Sequence, residues 1–340
     1  MPGGNAICIR TASAIPSRTP SHGDPADRCE WIHRLAPAAG AGGGVDVVVN
    51  AVGILRERST QTFEALHETG PRTLFDACVA AGVRRVVHVS ALGAGAGATS
   101  RYHLSKRAGD DALRALAIEG IVVQPSLVFG ADGASARLFL AALATLPVLP
   151  LPAGGLQLVQ PIHVDDLTAA LVRLVLDGLP AMTEDRTVAL AGPAPVTLAR
   201  CLQALRAALG MPPARTVDMP ATWVTAAATL GSRLASGPLD RDRWAMLRRG
   251  NTAPVEATCA LLGGPPRPAE RFIEPEDAAD RRRLAQLRWL LPVLRLVYTA
   301  IITWRLPEYW IHPYGPVVKN LPMLAMQWLL DALGAEEGRA

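Results

Sequence analysis

Residues 45–54 read VDVVVNAVGI, residues 84–94 read RRVVHVSALGA and residues 102–106 read YHLSK. The first holds a short β-branched run, 45–50, of the kind that forms a strand buried on both faces of a parallel sheet. A helix is expected to follow over 62–81, because Phe63, Leu66, Leu74, Ala77 and Cys78 recur at roughly helical spacing and Gly82 is a natural stop. The second stretch predicts a strand at 85–90. The alternation then continues with a helix at 100–119, a strand at 121–124, helices at 134–146 and 165–176, and a strand at 187–191. A further helix at 197–209 has Thr197 as its N-cap and Gly210 as its stop. Strands alternating with helices of this length imply βαβ units and an α/β fold, a Rossmann-like, doubly wound parallel sheet. Residues 211–278 read as a smaller, mostly helical lobe on the substrate side, with Pro-rich joints.

Composition narrows the function. The chain has 340 residues, 50% of them hydrophobic and 19% charged, so it can bury a sizeable core and is not disordered as a whole. Its net charge is +4, and no long basic run interleaves with aromatics, so nucleic acid is not an expected partner. Five cysteines without a CxxC pair indicate neither a zinc site nor a disulfide framework, and no metal is expected. No secretory signal peptide is visible at the start. Residues 1–44 carry Gly and Pro throughout and are expected to be mostly irregular. The three expected regions are thus 1–44, 45–278 and 279–340.

The last region reads as an apolar helical hairpin. Arg281, Arg282, Arg283 and Arg288 precede an apolar stretch at 289–304, which Pro292 and Arg295 interrupt, and a shorter stretch follows at 321–330. Sixteen residues make about 24 Å of helix against a ~30 Å hydrocarbon core, so the tail is a marginal or interfacial membrane element. Trp304, Tyr309, Trp310, Tyr314 and Trp328 stand where aromatic belts sit, and the arginines put the preceding domain on the cytoplasmic side. A helical pair packed on the domain is the alternative. The expected location is the cytoplasmic face of a membrane, or the cytoplasm.

The chemistry is expected at the strand ends. Ser90 closes a predicted strand, and Tyr102 and Lys106 lie one helical turn apart on the next helix. A cation beside a phenol favours the phenolate and brings it toward the pH at which it exchanges a proton with an alcohol or carbonyl. Ser90 is placed to donate to an oxygen where charge develops. YxxxK also arises by chance in helices, so its context matters.

The ordered series DVVVNAVGI, RRVVHVSALGA, YHLSK, VVQPSLVFG (122–130) and QPIHVDDLTAALV (160–172) resembles the extended and atypical short-chain dehydrogenase/reductases. It is most similar to the NAD(P)-binding epimerase/dehydratase-like branch that includes relatives of a complex I accessory subunit. The resemblance covers about two-thirds of the chain, roughly 45–267. It implies Tyr102 as proton donor or acceptor, Lys106 holding the nicotinamide ribose and lowering the Tyr102 pKa, and Ser90 orienting substrate. It further implies that Asn50, Ala51, Val52 and Gly53 line NAD or NADP, with Pro125, Ser126 and Val128 bordering the nicotinamide. Val52 and Val128 could equally be core, and Pro125 a strand end. Gln124 departs from the arginine usual in that context. His163, Asp165 and Asp166 match a VDD segment in which capping of the next helix by Asp165 or Asp166 is the expected role.

The resemblance fails at the front. The family opens with a strand, GxxGxxG and a helix whose N-terminus meets the pyrophosphate. Here Gly40, Gly42, Gly43 and Gly44 precede a strand and read as linker. Gly93, Gly95 and Gly97 fall in a loop that the family places on the substrate side. Only Asp24, in HGDPAD, stands as an adenine-side candidate, and a turn aspartate is the alternative. Cofactor binding is therefore expected to be weakened. TAIITWRLPEYWIHPYGPVVKNLPMLA (299–325) resembles the end of a DoxX-like membrane region. The expected function is an NAD(P)-dependent oxidoreductase acting on a carbonyl or hydroxyl carbon. The competing expectation is a non-catalytic nucleotide-binding or scaffold protein at a membrane.

Overall fold

The computed structural model describes residues 6–11, 45–55, 57, 61–130, 134–180, 185–231 and 241–305. They fall into two compact units, bounded by Met1–Val128, Gln157–Pro195 and Thr225–Pro266 for the first, and by Phe129–Leu156, Val196–Val224 and Arg267–Ala340 for the second.

The first unit is built on a parallel sheet. Its strands are β1 (Ala6–Thr11), β2 (Val45–Ala51), β3 (Arg85–Val89), β4 (Glu119–Pro125) and β5 (Thr187–Leu190), hydrogen-bonded in that order. Helices α1 (Gly70–Ala80), α2 (Arg101–Arg114) and α3 (Val164–Asp177) cover it. The period-2 alternation of strand side chains sorts the apolar residues to two faces. Val47, Val49, Val87, Ile121, Val123, Val188 and Leu190 pack against Leu167, Ala170, Leu174 and Val175 of α3. Val48, Val86 and Val122 pack against Leu74, Phe75 and Cys78 of α1 and Leu113 of α2. Burial on both faces is why these strands read as continuous Val/Ile runs. Full burial of a side chain such as Ile121 or Phe75 is worth about 1.5–3 kcal/mol.

Arg85, where β3 begins, fastens the end of α3. Its guanidinium donates to the carbonyls of Leu174 (3.2 Å) and Val175 (2.7 Å) and pairs with Glu119 at 2.6 Å. These carbonyls belong to the last turn of α3, which carries a partial negative charge, and the Leu174 carbonyl also accepts the Gly178 N–H at 3.2 Å. Gly178 ends the helix at φ +86°, and a Cβ there would stand 2.8 Å from the Arg85 guanidinium.

Several elements differ from expectation. Ala6–Thr11 is a strand inside the segment expected to be mostly irregular. The helix expected over 62–81 is divided: Glu64–Thr69 is a π-helical turn that leads directly into α1. His163, rather than Asp165 or Asp166, caps α3, its Nδ1 accepting the Asp165 N–H at 3.2 Å. The two carboxylates occupy the first turn, where they complement the helix dipole.

The second unit contains the helices Ala134–Thr145, Leu198–Ala208 and Pro275–Arg305, and a parallel pair of strands, Val148–Pro152 with Arg215–Met219. Thr197 caps its helix as expected, accepting from the Arg200 N–H at 3.2 Å. Residues 215–219 form a largely exposed strand in a region read as mostly helical. Arg206 is buried and donates to the carbonyls of Pro212 (2.6 Å), Leu146 (3.0 Å) and Leu143. Helix Pro275–Arg305 runs on through Pro292, and Val297, Ile301 and Trp304 are exposed on it. Among the described residues no helix is long and apolar enough to cross a membrane. The second arm of the expected hairpin, with Tyr309, Trp310, Tyr314 and Trp328, lies outside the described residues, as do Asp24 and Gly40 to Gly44.

Candidate active site

Parallel pairing sets Asn50 beside His88, so β2 and β3 end side by side, and ligands of open α/β sheets bind outside such carboxyl ends. Helix α2 begins just beyond, capped by Ser100, whose hydroxyl accepts the His103 N–H at 3.2 Å. Its first turns carry Tyr102 and Lys106 back over the strand ends.

Lys106 is 4% exposed. Its ammonium donates to the Val52 carbonyl (3.2 Å) and the Val89 carbonyl (3.1 Å), one past the end of β2 and one at the end of β3. Burial lowers its pKa to about 8, although the Asp110 charge opposes the fall. Gly53 lies against it: a Cβ there would stand 2.8 Å from Lys106 Nζ.

Tyr102 is half-buried, with its ring edge-on to His67 at 5.6 Å and to Phe63 at 6.1 Å. Its phenol is pushed up to about 12 by burial and then by the Asp110 charge. This reverses the sequence expectation that Lys106 would favour the phenolate. Burial penalises the phenolate, and the ammonium is engaged by two carbonyls.

Beneath this pair lies a buried polar cluster. Asp110, fully buried one turn beyond Lys106, accepts from the Ser90 hydroxyl (2.8 Å) and the Gln124 amide (3.2 Å). Burial raises its pKa to about 6. His88 Nε2 is 3.6 Å from its other oxygen. Asn50 accepts the Val52 N–H through Oδ1 (3.2 Å), so its amide N–H donates to His88 Nδ1 at 3.0 Å. That assigns His88 as neutral with the proton on Nε2, in keeping with a pKa lowered to about 3 by burial. The close approach to Asp110 is therefore no ion pair.

His67 is the parallel case. Its Nε2 accepts the Ile54 N–H (3.0 Å), so Nδ1 carries the proton and donates to the Ser105 hydroxyl (2.8 Å), which donates to the Tyr102 carbonyl (2.9 Å). Burial and Lys106 lower its pKa to about 3. The π-turn places His67 here, linking the loop after β2 to α2; such turns recur at functional sites.

The structure thus brings Tyr102, Lys106, Val52 and Gly53 together. Ser90 joins them from below, with its hydroxyl given to Asp110. Asn50 is 2% exposed, its side chain turned to His88. Ala51 is partly exposed at the end of β2. Pro125 closes β4, and the Ser126 hydroxyl donates to the Gln160 carbonyl at 2.6 Å. Val128 is exposed. His67, His88 and Asp110 were missed from sequence. Only Asp110 had a signal: it repeats the four-residue step from Tyr102 to Lys106.

The fit to a dinucleotide is uneven. The backbone at 51–54 and the Lys106 ammonium suit the nicotinamide-ribose end. At the other end, β1 finishes at Thr11 and the next glycine in the sequence is Gly23, so no glycine loop follows it directly.

Two curated relatives overlap parts of the chain. Ceramide reductase of Caulobacter vibrioides is 35% identical over 130 residues, 38% of this chain and 40% of that protein. The mouse mitochondrial NADH dehydrogenase [ubiquinone] 1 alpha subcomplex subunit 9 is 32% identical over 139 residues, 39% of this chain and 35% of that protein. The chain therefore spans well under half the length of either. Among solved structures, a nucleoside-diphosphate-sugar epimerase from Staphylococcus aureus aligns at a TM-score of 0.52 and 16% identity, covering 71% of this chain and 80% of that one. The NADPH-dependent quinone oxidoreductase of Escherichia coli, complexed with NADPH, aligns at 0.51 and 19%, covering 72% and 80%. At these identities they show a shared fold. Residues 278–328 match the DoxX-like family. Residues 37–181 match the NAD dependent epimerase/dehydratase family.

Proposed function

We propose that this protein is an NAD(P)-dependent oxidoreductase that reduces a carbonyl, or oxidises the matching alcohol, with Tyr102 and Lys106 as its catalytic pair. The observation that carries the reading is the Lys106 ammonium, held by the Val52 and Val89 carbonyls at the carboxyl edge of the sheet. Two of its three N–H bonds are taken among the described residues, and the third is left for a ribose hydroxyl. NADH or NADPH, when bound, supplies the hydride to the carbonyl carbon. Tyr102 gives its phenolic proton to the carbonyl oxygen, completing the alcohol, and a phenol held at about 12 is protonated and ready to donate at neutral pH. Lys106 holds the ribose, and solvent returns a proton to the Tyr102 oxygen. Ala51, Val52 and Gly53 line the cofactor through backbone, as do Asn50, Pro125 and Ser126, whose side chains are committed elsewhere; Val128 offers an exposed apolar contact. Ser90 acts through Asp110.

The Caulobacter relative's name supports reduction as the working direction and a ceramide-like lipid carbonyl as the substrate class. The DoxX-like segment supports attachment to a membrane, with the arginines at 281–283 and 288 keeping the catalytic unit on the cytoplasmic side. The test is NADH and NADPH oxidation at 340 nm with long-chain keto lipids in detergent, with Tyr102→Phe as control.

One observation favours a second reading, a nucleotide-binding scaffold like the complex I accessory relatives. The Ser90 hydroxyl, expected to orient substrate, is given to Asp110 instead. Cofactor binding without oxidation across the carbonyl panel would select that reading.

A further inference from the structure

Asp110 is the one buried carboxylate among the described residues of this site, and it touches no reacting atom of the proposed reaction. It joins three elements: its Oδ2 accepts from Ser90 just beyond β3 and from Gln124 of β4, while Lys106 stands one turn before it on α2. Gly109, its neighbour, lets the helix close on this floor, since a Cβ there would stand 2.5 Å from the His67 carbonyl. The carboxylate acts on Lys106 and Tyr102 in opposite senses, favouring the ammonium and disfavouring the phenolate.

Taking Lys106 as the cofactor-facing cation of the proposed function, we infer that Asp110 is a positioning residue whose buried carboxylate, one helical turn away, keeps the Lys106 ammonium charged. Without it, an ammonium that burial already drives toward the amine would lose its compensating charge. The other charged or titratable groups facing the pair do not duplicate this effect. His67, on the π-turn, and His88, on β3, are neutral with pKa values near 3, Tyr102 on α2 stays protonated to about 12, and Arg114 on α2 adds positive charge. Between pH 5 and 7 Asp110 is therefore the group of this cluster that changes charge, at about 6.

The sequence makes the test direct, because Lys106 and Lys319 are the only lysines among 34 basic residues. Full-length protein carrying lysine labelled with carbon-13 at Cε gives two side-chain signals, and Lys106→Arg identifies one of them. The Lys106 signal is expected to titrate near pH 8, and about one pH unit lower in Asp110→Asn, with Asp110→Glu restoring it and Lys319 unmoved. A midpoint unchanged in folded Asp110→Asn overturns the inference. If that variant does not fold, the wild-type signal decides: an added inflection near pH 6 reports Asp110 charge reaching Lys106, and its absence overturns the inference. Failure to oxidise NAD(P)H would overturn the proposed function and leave this titration as it is.

Discussion

Substituting Gly53 by Ala separates the site from the fold. Gly53 has no positive φ, so alanine costs little in backbone conformation. Its new Cβ, however, would stand 2.8 Å from Lys106 Nζ and 3.3 Å from Cε, against an ordinary contact of 3.4 Å or more. The ammonium must retreat by roughly 0.6 Å, which stretches hydrogen bonds of 3.1 and 3.2 Å toward 3.7 Å, beyond useful length. Hydrogen bonds to a charged group are worth about 1.5–3 kcal/mol each, but the mobile end of a lysine recovers part of that elsewhere. The expected loss of stability is about 1–2 kcal/mol, with about tenfold weaker NADPH binding. Gly109→Ala is the contrast, because its Cβ would meet a backbone oxygen at 2.5 Å and must displace the helix itself. Thermal melts with NADPH titrations to 10 mM give both quantities. A Gly53→Ala protein that binds NADPH like wild type would refute the placement of Lys106 against the cofactor.

Three further outcomes are expected. Tyr102→Phe should lower any measurable carbonyl reduction by at least about 100-fold, read from initial rates at saturating cofactor. Thermal stability should rise from pH 4 to 6.5: His67 and His88, near 3 when folded, bind protons mainly in the unfolded chain over that range, and they outweigh Asp110, which at about 6 acts in the opposite sense. A flat or falling profile by calorimetry would contradict the neutral assignment of the two histidines. Deleting residues 288–340 should move the protein from the membrane fraction to the soluble one, and an unchanged distribution would place the membrane contact elsewhere.

The sheet was legible because β2, β3 and β4 are buried on both faces and so carry unbroken β-branched runs, whereas Ala6–Thr11, a short stretch among prolines and glycines, gave no such contrast. Residues 215–219 escaped because an exposed strand carries no apolar alternation. The Tyr102–Lys106 spacing was readable, since four residues along a helix fix a shared face. The sign of the Tyr102 shift was not, because it depends on burial depth and on Asp110, and spacing shows only who is adjacent. The π-turn has no signature in a 3.6-residue pattern, so His67 counted as part of an ordinary helix. Asp165 and Asp166 suggested a cap by residue type, but the chain enters α3 earlier, at Val164, and His163 takes the position.

Lys106, Tyr102 and the 51–54 backbone are proposed to form a nicotinamide site although no glycine loop directly follows β1. Saturation-transfer NMR of NADPH with the full chain tests it at the level of single protons. Binding is expected on the order of a millimolar, with the strongest transfer at the nicotinamide ring and its loss in Lys106→Met. Transfer confined to the adenine, or a nicotinamide signal that survives Lys106→Met, would contradict it.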